Sequence, residues 1–239
     1  LSYPDTVKKS VCGYVADLER LGETKEHVFQ PWLIGLWLAD GTAAKPDITF
    51  NKDDQELIKQ VEKIRLDEGY GENIVPSSDR ENCVAISYPG GLLNKLKEIG
   101  IYNNKHIPDS YKFASYNDRL ELLAGILDGD SYKPLDRHLY ELTVKDNKLS
   151  DDLVFLARSL GFRVSVKSKF SKCEGFEGDY YKRISITGDL EKIPNRLPRK
   201  KTPPKGVKTK PRHFGSTGIK LESLGEGDYY GFEIDGNRL

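Results

Sequence analysis

The sequence predicts an α+β fold in which two similar halves follow one another as a tandem, pseudo-twofold pair. Two observations carry this expectation. Leu33-Ile34-Gly35-Leu36-Trp37-Leu38-Ala39-Asp40-Gly41 and Leu123-Ala124-Gly125-Ile126-Leu127-Asp128-Gly129-Asp130-Ser131 share one pattern, an apolar helical run with small residues four apart that ends in a carboxylate. After each run the same succession returns: a strand, an amphipathic helix and a further strand or strands.

Residues four apart lie on one face of a helix, so Gly35 with Ala39, and Gly125 with Gly129, each leave a groove nearly free of side chain. Two such helices can pack backbone to backbone. Their ends then meet, and with them Asp40 and Asp130, a paired-carboxylate place for a divalent metal. Either run alone would read as a buried helix with a polar end and a turn. Two copies, separated by a span with its own strands and helix, say more.

Along the chain, Leu1 to Val28 opens with a short helical signature from Pro4-Asp5, with Val7, Val11 and Cys12 on one face. A turn at Gly13 and a strand over Tyr14–Leu18 follow. After the first run, Asp47–Phe50 reads as a strand and Asp53–Glu68 as an amphipathic helix, with Leu57, Ile58, Val61, Ile64 and Arg65 at helical spacing. Asn82–Tyr88 alternates as a strand does, and Gly91–Ile99 is helical. The second half repeats this order: strand Leu139–Val144, helix Lys148–Leu160, strands Arg163–Lys167 and Tyr180–Thr187. Ile219–Asn237 alternates as strands around a glycine-rich turn.

Composition bounds the function. The chain has 239 residues, 37% hydrophobic and 31% charged, long enough for one large or two small domains. No apolar run approaches the ~20 residues of a membrane span, and no signal-peptide pattern opens the chain. The expectation is an intracellular protein, cytoplasmic or nuclear, not secreted and without a membrane partner. Cys12, Cys83 and Cys173 lack disulfide or zinc spacing, and the four histidines are scattered. The absence of Met suggests a processed piece of something longer.

Net charge is zero, yet Asn195 to Arg212 carries eight basic residues (Arg196, Arg199, Lys200, Lys201, Lys205, Lys208, Lys210 and Arg212), four prolines and no acid. Prolines at that density preclude a continuous helix or central strand, and the charges suit phosphates. Alone, such a segment reads as a solvated loop; beside paired carboxylates it favours DNA. Candidates for DNA contact are Lys45 and Lys52 in the first half, Lys145, Arg163, Lys167, Lys169, Lys182 and Arg183 in the second, and this loop. Antiparallel strands present alternate side chains to the major groove, which admits a two-stranded ribbon.

The paired runs resemble the motifs of the LAGLIDADG homing endonucleases, specifically the type carried inside inteins, position for position. Lys105-His106-Ile107-Pro108 resembles that family's Lys-x-Ile-Pro stretch, Lys200-Lys201 its later lysine pair, and Asp151–Gly161 the helix after the second motif. The resemblance implies that Asp40 and Asp130 bind the metals, and that Lys105 and Lys201 assist catalysis. It implies a tandem LAGLIDADG fold whose antiparallel β saddles lie on DNA, with each half cutting one strand. The partner is then a double-stranded DNA carrying a long asymmetric target, bound by a monomer. Magnesium suits so sparse an oxygen ligand set, with manganese as a substitute. Ser131 stands where the family has the glycine that Gly41 supplies.

The termini resemble all-β Hint splicing sequence, Leu1–Val28 leading into the first motif and Ile219–Asn237 matching a penultimate splicing block. The chain has no first-residue Cys or Ser nucleophile, Thr-x-x-His block or terminal His-Asn. The organisation expected is 1–28 splicing domain and linker, 29–120 first half, 121–194 second half, 195–215 basic DNA-contacting loop and 216–239 splicing-domain strands. The reading is a site-specific double-strand DNA endonuclease. Its rivals are a fold that binds DNA without cutting, a transcriptional regulator, and a splicing scaffold fragment.

Overall fold

The computed structural model describes residues 12–14, 22, 23, 26–69, 74–76, 81–87, 91–145, 147–172, 178–203, 216–218 and 225–228. The chain divides into two compact units, residues 1–15 with 216–239, and residues 16–215. In the smaller unit, β1 (Cys12–Tyr14) pairs antiparallel with β8 (Ser216–Gly218), Gly13 opposite Thr217. Gly13 therefore sits inside a strand, not at the turn its residue type suggests, because the partner comes from the far end of the chain. The opening helix, the strand beyond Tyr14, and Ile219–Asn237 apart from Gly225–Asp228 lie outside the described residues.

The larger unit is built on two helices, α1 (Pro31–Asp40) and α5 (Tyr116–Asp130). Pro31 presets the first turn of α1, and Trp32 to Leu38 are all buried, so this helix is apolar around its whole circumference. Ser115 caps α5 by accepting from the Asp118 amide, and Leu122 to Asp128 are buried behind it. The two helices cross where side chains vanish. A Cβ on Gly35 would stand 2.2 Å from the Leu122 carbonyl oxygen, and one on Gly125 would stand 2.0 Å from that of Trp32.

Each helix is followed by the same device. In the first half β2 (Asp47–Asn51), α2 (Gln55–Asp67), β3 (Ile74–Pro76) and β4 (Cys83–Ser87) give an antiparallel sheet of order β2-β4-β3. In the second, β5 (Tyr140–Lys145), α6 (Lys148–Ser159), β6 (Arg163–Ser171) and β7 (Asp179–Thr187) give the order β5-β7-β6. Even the short bridge after each motif helix recurs, Gly41 to Ile48 and Tyr132 to Glu141. Between the halves lie α3 (Leu92–Glu98) and α4 (Asp109–Lys112). The core runs continuously through both halves around α1 and α5.

β3 and α4 are too short to show a period in the sequence. β6, expected from the sequence to end at Lys167, continues to Ser171. The extra residues pair with β7 from Ser168 opposite Lys182 to Ser171 opposite Asp179, so backbone bonds carry them without an apolar face. Arg65, spaced with the apolar residues of α2, is buried with them and bonds Glu62 at 3.2 Å. Among the described residues no helix is long and apolar enough to cross a membrane.

Candidate functional site

Asp40 is the last residue of α1 and Asp130 the last of α5, so the close crossing of the helices carries both carboxylates to one place. The spot is crowded on the Gly129 side, where a Cβ would stand 2.5 Å from the Ala39 Cβ and 2.8 Å from Asp40 Oδ2. Thus all four small residues of the two runs serve the approach. Both helices also end here, adding the negative ends of their dipoles to two carboxylates. Burial and then the charge of Asp130 push the Asp40 carboxyl up to about 6, against the pull of Lys200 and Lys105. Burial raises Asp130 as well, opposed by the same two lysines.

Two ammonium groups answer this negative charge in matching ways. Lys105 Nζ donates to the Leu38 carbonyl at 3.0 Å, near the C-terminus of α1, and lies 5.1 Å from the centre of the Trp37 ring. Lys200 Nζ donates to the Leu127, Asp128 and Gly129 carbonyls at 2.9, 2.7 and 2.9 Å, at the C-terminus of α5. Leu38 and Asp128 occupy the same place in their respective runs, so each lysine binds the equivalent turn of one motif helix. Burial lowers both lysines to about 8, and for Lys200 the neighbouring Arg199 adds to this.

Lys201, the catalytic lysine that the sequence reading selects, is exposed, while Lys200 is 3% exposed and faces the carboxylates. From Asn195 to Thr202 the basic segment is not solvated loop but a strap folded onto α5 and Tyr140. Asp128, 1% exposed, accepts at Oδ2 from Trp32 Nε1 at 2.9 Å and the Arg196 amide at 2.8 Å. Its Oδ1 accepts from Asn195 Nδ2 at 3.0 Å and the Leu197 amide at 3.3 Å.

Tyr140 Oη joins Asn195 Oδ1 at 2.8 Å, Thr202 Oγ1 at 3.0 Å and the Lys200 carbonyl. The Arg196 guanidinium lies 4.0 Å from the centre of the Trp32 ring, and Arg199 forks onto Asp54, before α2, at 2.8 and 2.9 Å. From the sequence, Asp128, two residues before Asp130, reads as helix-end structure or indirect support and not as a direct metal ligand; Asn195, Tyr140 and Asp54 carry no signal that would place them at the site.

Ser131 and Gly41 share an extended backbone, with φ −102° and −74°, so neither position needs a glycine for its conformation. Gly41 is required by its neighbour, because a Cβ there would stand 2.3 Å from Trp37 Cδ1. The residue four before Ser131 is Leu127, and Ser131 Oγ donates to its carbonyl at 2.6 Å. The departure in the second run therefore tracks a packing difference.

Of the other DNA-contact candidates, Lys145, Arg163, Lys167, Lys169 and Arg183 share one face of the second sheet. The register sets Thr143 opposite Arg183, Arg183 opposite Lys167, and Tyr181 opposite both Lys145 and Lys169. Lys145 is also paired with Asp179 at 2.6 Å. Lys182 points to the opposite face and meets Asp151 of α6 at 2.6 Å. Lys45 and Lys52 are exposed in the first half, and Lys205, Lys208, Lys210 and Arg212 lie outside the described residues. A groove of about 420 Å³ runs from Asp130 and Ser131 past Tyr132, Glu141 and Thr143 to Arg183, Arg199 and Lys200.

A divalent ion would find oxygen ligands here from Asp40 and Asp130. Among the described residues no three His, Cys, Asp or Glu side chains gather as a ligand set. Two carboxylates destabilised by burial, Asp40 also by the charge of Asp130, suit a hard cation that keeps most of its waters.

Residues 106–192, which include α5 and the second sheet, match the model of the homing endonuclease family. A 145-residue stretch, 61% of this chain, is 32% identical to the replicative DNA helicase DnaB of Mycobacterium intracellulare, of which it covers 21%. Over 87% of the chain the identity to the homothallic switching endonuclease of Saccharomyces cerevisiae is 23%, covering 41% of that protein. The iron-sulfur cluster assembly SufBD family protein ML0593 of Mycobacterium leprae is 23% identical over 81% of the chain, covering 24% of its own length.

The chain thus spans between a fifth and two fifths of these relatives. Among solved structures, mesophilic variants of the homing endonuclease I-DmoI align with 66% of this chain and 82% of theirs, at 16% identity and a TM-score of 0.43.

Proposed function

We propose that this chain is a magnesium-dependent, site-specific double-strand DNA endonuclease of the LAGLIDADG homing type, derived from an intein. The observation that carries the reading is the convergence of Asp40 and Asp130 at the ends of two helices packed through Gly35 and Gly125, with one ammonium bonded to each helix end, half-buried for Lys105 and buried for Lys200. The homing endonuclease match over 106–192 supports it. Matches to small shares of a helicase and of an iron-sulfur assembly protein support an element inserted into unrelated hosts.

Asp40 and Asp130 would hold the metal, which supplies Lewis-acid polarisation of the phosphate and a more basic water. Lys105 and Lys200 place positive charge where the transition state gains negative charge. The basic outer face of β5, β6 and β7 would lie along the major groove. The corresponding face of the first sheet carries Asp47, Thr49, Asn51, Ala85 and Ser87, so the halves would read different sequences, consistent with a long asymmetric site. Both acids come from one chain, which supports a monomer. Against a fold that binds without cutting, the reading is supported by the presence of Asp40, Asp130 and Lys105 together.

The test is cleavage of a randomised-target DNA library with and without magnesium, followed by sequencing of the cut ends. A recurrent long site cut only with magnesium is the expected result. Enrichment of bound DNA with no cut ends would replace the endonuclease by a DNA-binding protein of the same fold.

A further inference from the structure

We propose that Asp128 is a positioning residue that holds Lys200 in the cleft, an inference that rests on the endonuclease reading for its consequence but not for its geometry. The position is buried in both runs, and in the first it is filled by Leu38. Helix packing alone therefore does not call for an acid. The second run differs in having a strap to hold.

Asp128 holds that strap at both of its ends. Its carboxylate collects the Asn195 side-chain amide and the Arg196 and Leu197 backbone amides, as well as the Trp32 indole of α1. The chain then turns through a single 3-10 turn, Pro198–Lys200, closed by the Lys200 amide on the Leu197 carbonyl at 3.0 Å. That turn returns the Lys200 ammonium to the carbonyl of Asp128 itself, at 2.7 Å, and to those on either side.

Tyr140 fastens the same loop from the sheet, through Asn195 and the Lys200 carbonyl. A buried carboxylate with four N–H donors has its acceptor capacity committed, and those charge-assisted bonds are the strong ones. An asparagine there would turn an N–H₂ toward donors, and the strap would lose its seat. Lys105 has no comparable link to Asp128; its segment is held by Asp152, which accepts from the Ile107 amide at 3.1 Å.

Two readouts on Asp128→Asn test this. The first is amine labelling of the folded protein with acetic anhydride, read by mass spectrometry, with exposed Lys201 as the internal control. In the parent, Lys200 and Lys105 are expected to label slowly and Lys201 fast; in the variant Lys200 approaches Lys201 while Lys105 stays protected. The second is strand-resolved cleavage of a plasmid carrying the selected site. One and the same strand is expected to be cut about ten- to hundred-fold more slowly, so that nicked circles accumulate, as they do for Lys200→Met.

A Lys200 that stays protected, or an equal slowing of both strands, overturns the proposal. If Asp128→Asn does not fold, Tyr140→Phe, which removes only the hydroxyl, is expected to give the same labelling and strand bias, and its failure to do so counts equally against it. A parent protein that cuts no DNA overturns the endonuclease reading instead, and the labelling alone then decides the positioning.

Discussion

Replacing Asp40 by asparagine should make the protein more stable while removing the proposed metal site. The Asp40 carboxyl stands at about 6 instead of 3.8, chiefly because it is buried, and such a displacement corresponds to about 3 kcal/mol. The sign follows from proton linkage. The folded state binds this proton more tightly than the unfolded state, so the group is harmless below pH 3.8, and stability is lost progressively as pH rises through about 6. At pH 8 the full penalty is present in the parent and absent in Asp40→Asn.

Part of the gain is returned, because Lys105 and Lys200 both lose a favourable neighbouring charge. A net stabilisation of about 1–2 kcal/mol remains, a rise in Tm of roughly 2–8 °C for a chain of this size. Calorimetry and urea unfolding at pH 4, 6 and 8 measure it. Magnesium should stabilise the parent, by about 2.7 kcal/mol at a hundredfold excess over Kd, and leave the variant unchanged. A variant less stable than the parent at pH 8, or a difference that does not close toward pH 4, would refute the burial argument.

Magnesium binding by the parent, followed calorimetrically, should weaken as pH falls through about 6, where protons compete for Asp40, and cleavage should decline above about 8 as Lys105 and Lys200 lose their protons. Gly125→Ala and Gly35→Ala should each cost about 3 kcal/mol in urea unfolding, since the added Cβ meets backbone, not a movable side chain. Ser131→Gly should cost about 1 kcal/mol through the lost bond to Leu127 and keep cleavage, whereas Gly41→Ser should disrupt the Trp37 packing. Lys167→Ala or Arg183→Ala should weaken DNA binding, and each lost phosphate contact should reduce the slope of log affinity against log salt by about 0.9.

The motif helices were legible because close helix approach leaves a local record: small residues at helical spacing in an apolar run. The repeated strand and helix order was legible for a similar reason, since α2 and α6 each bury one periodic stripe. From those patterns the chain's own sequence determined that two helices meet and that their terminal carboxylates meet with them. It could not distinguish Lys200 from Lys201, adjacent residues of one type in a proline-rich run. A single turn and the amide-binding Asp128 decide which of them turns inward.

Nor could it separate Lys182 from Arg183 by function. Strand register decides that Arg183 faces the groove and Lys182 faces α6. Periodicity is a property of a single segment, so sequence carries it. Which neighbour a side chain meets depends on segments far apart in the chain, and only their packing together settles that.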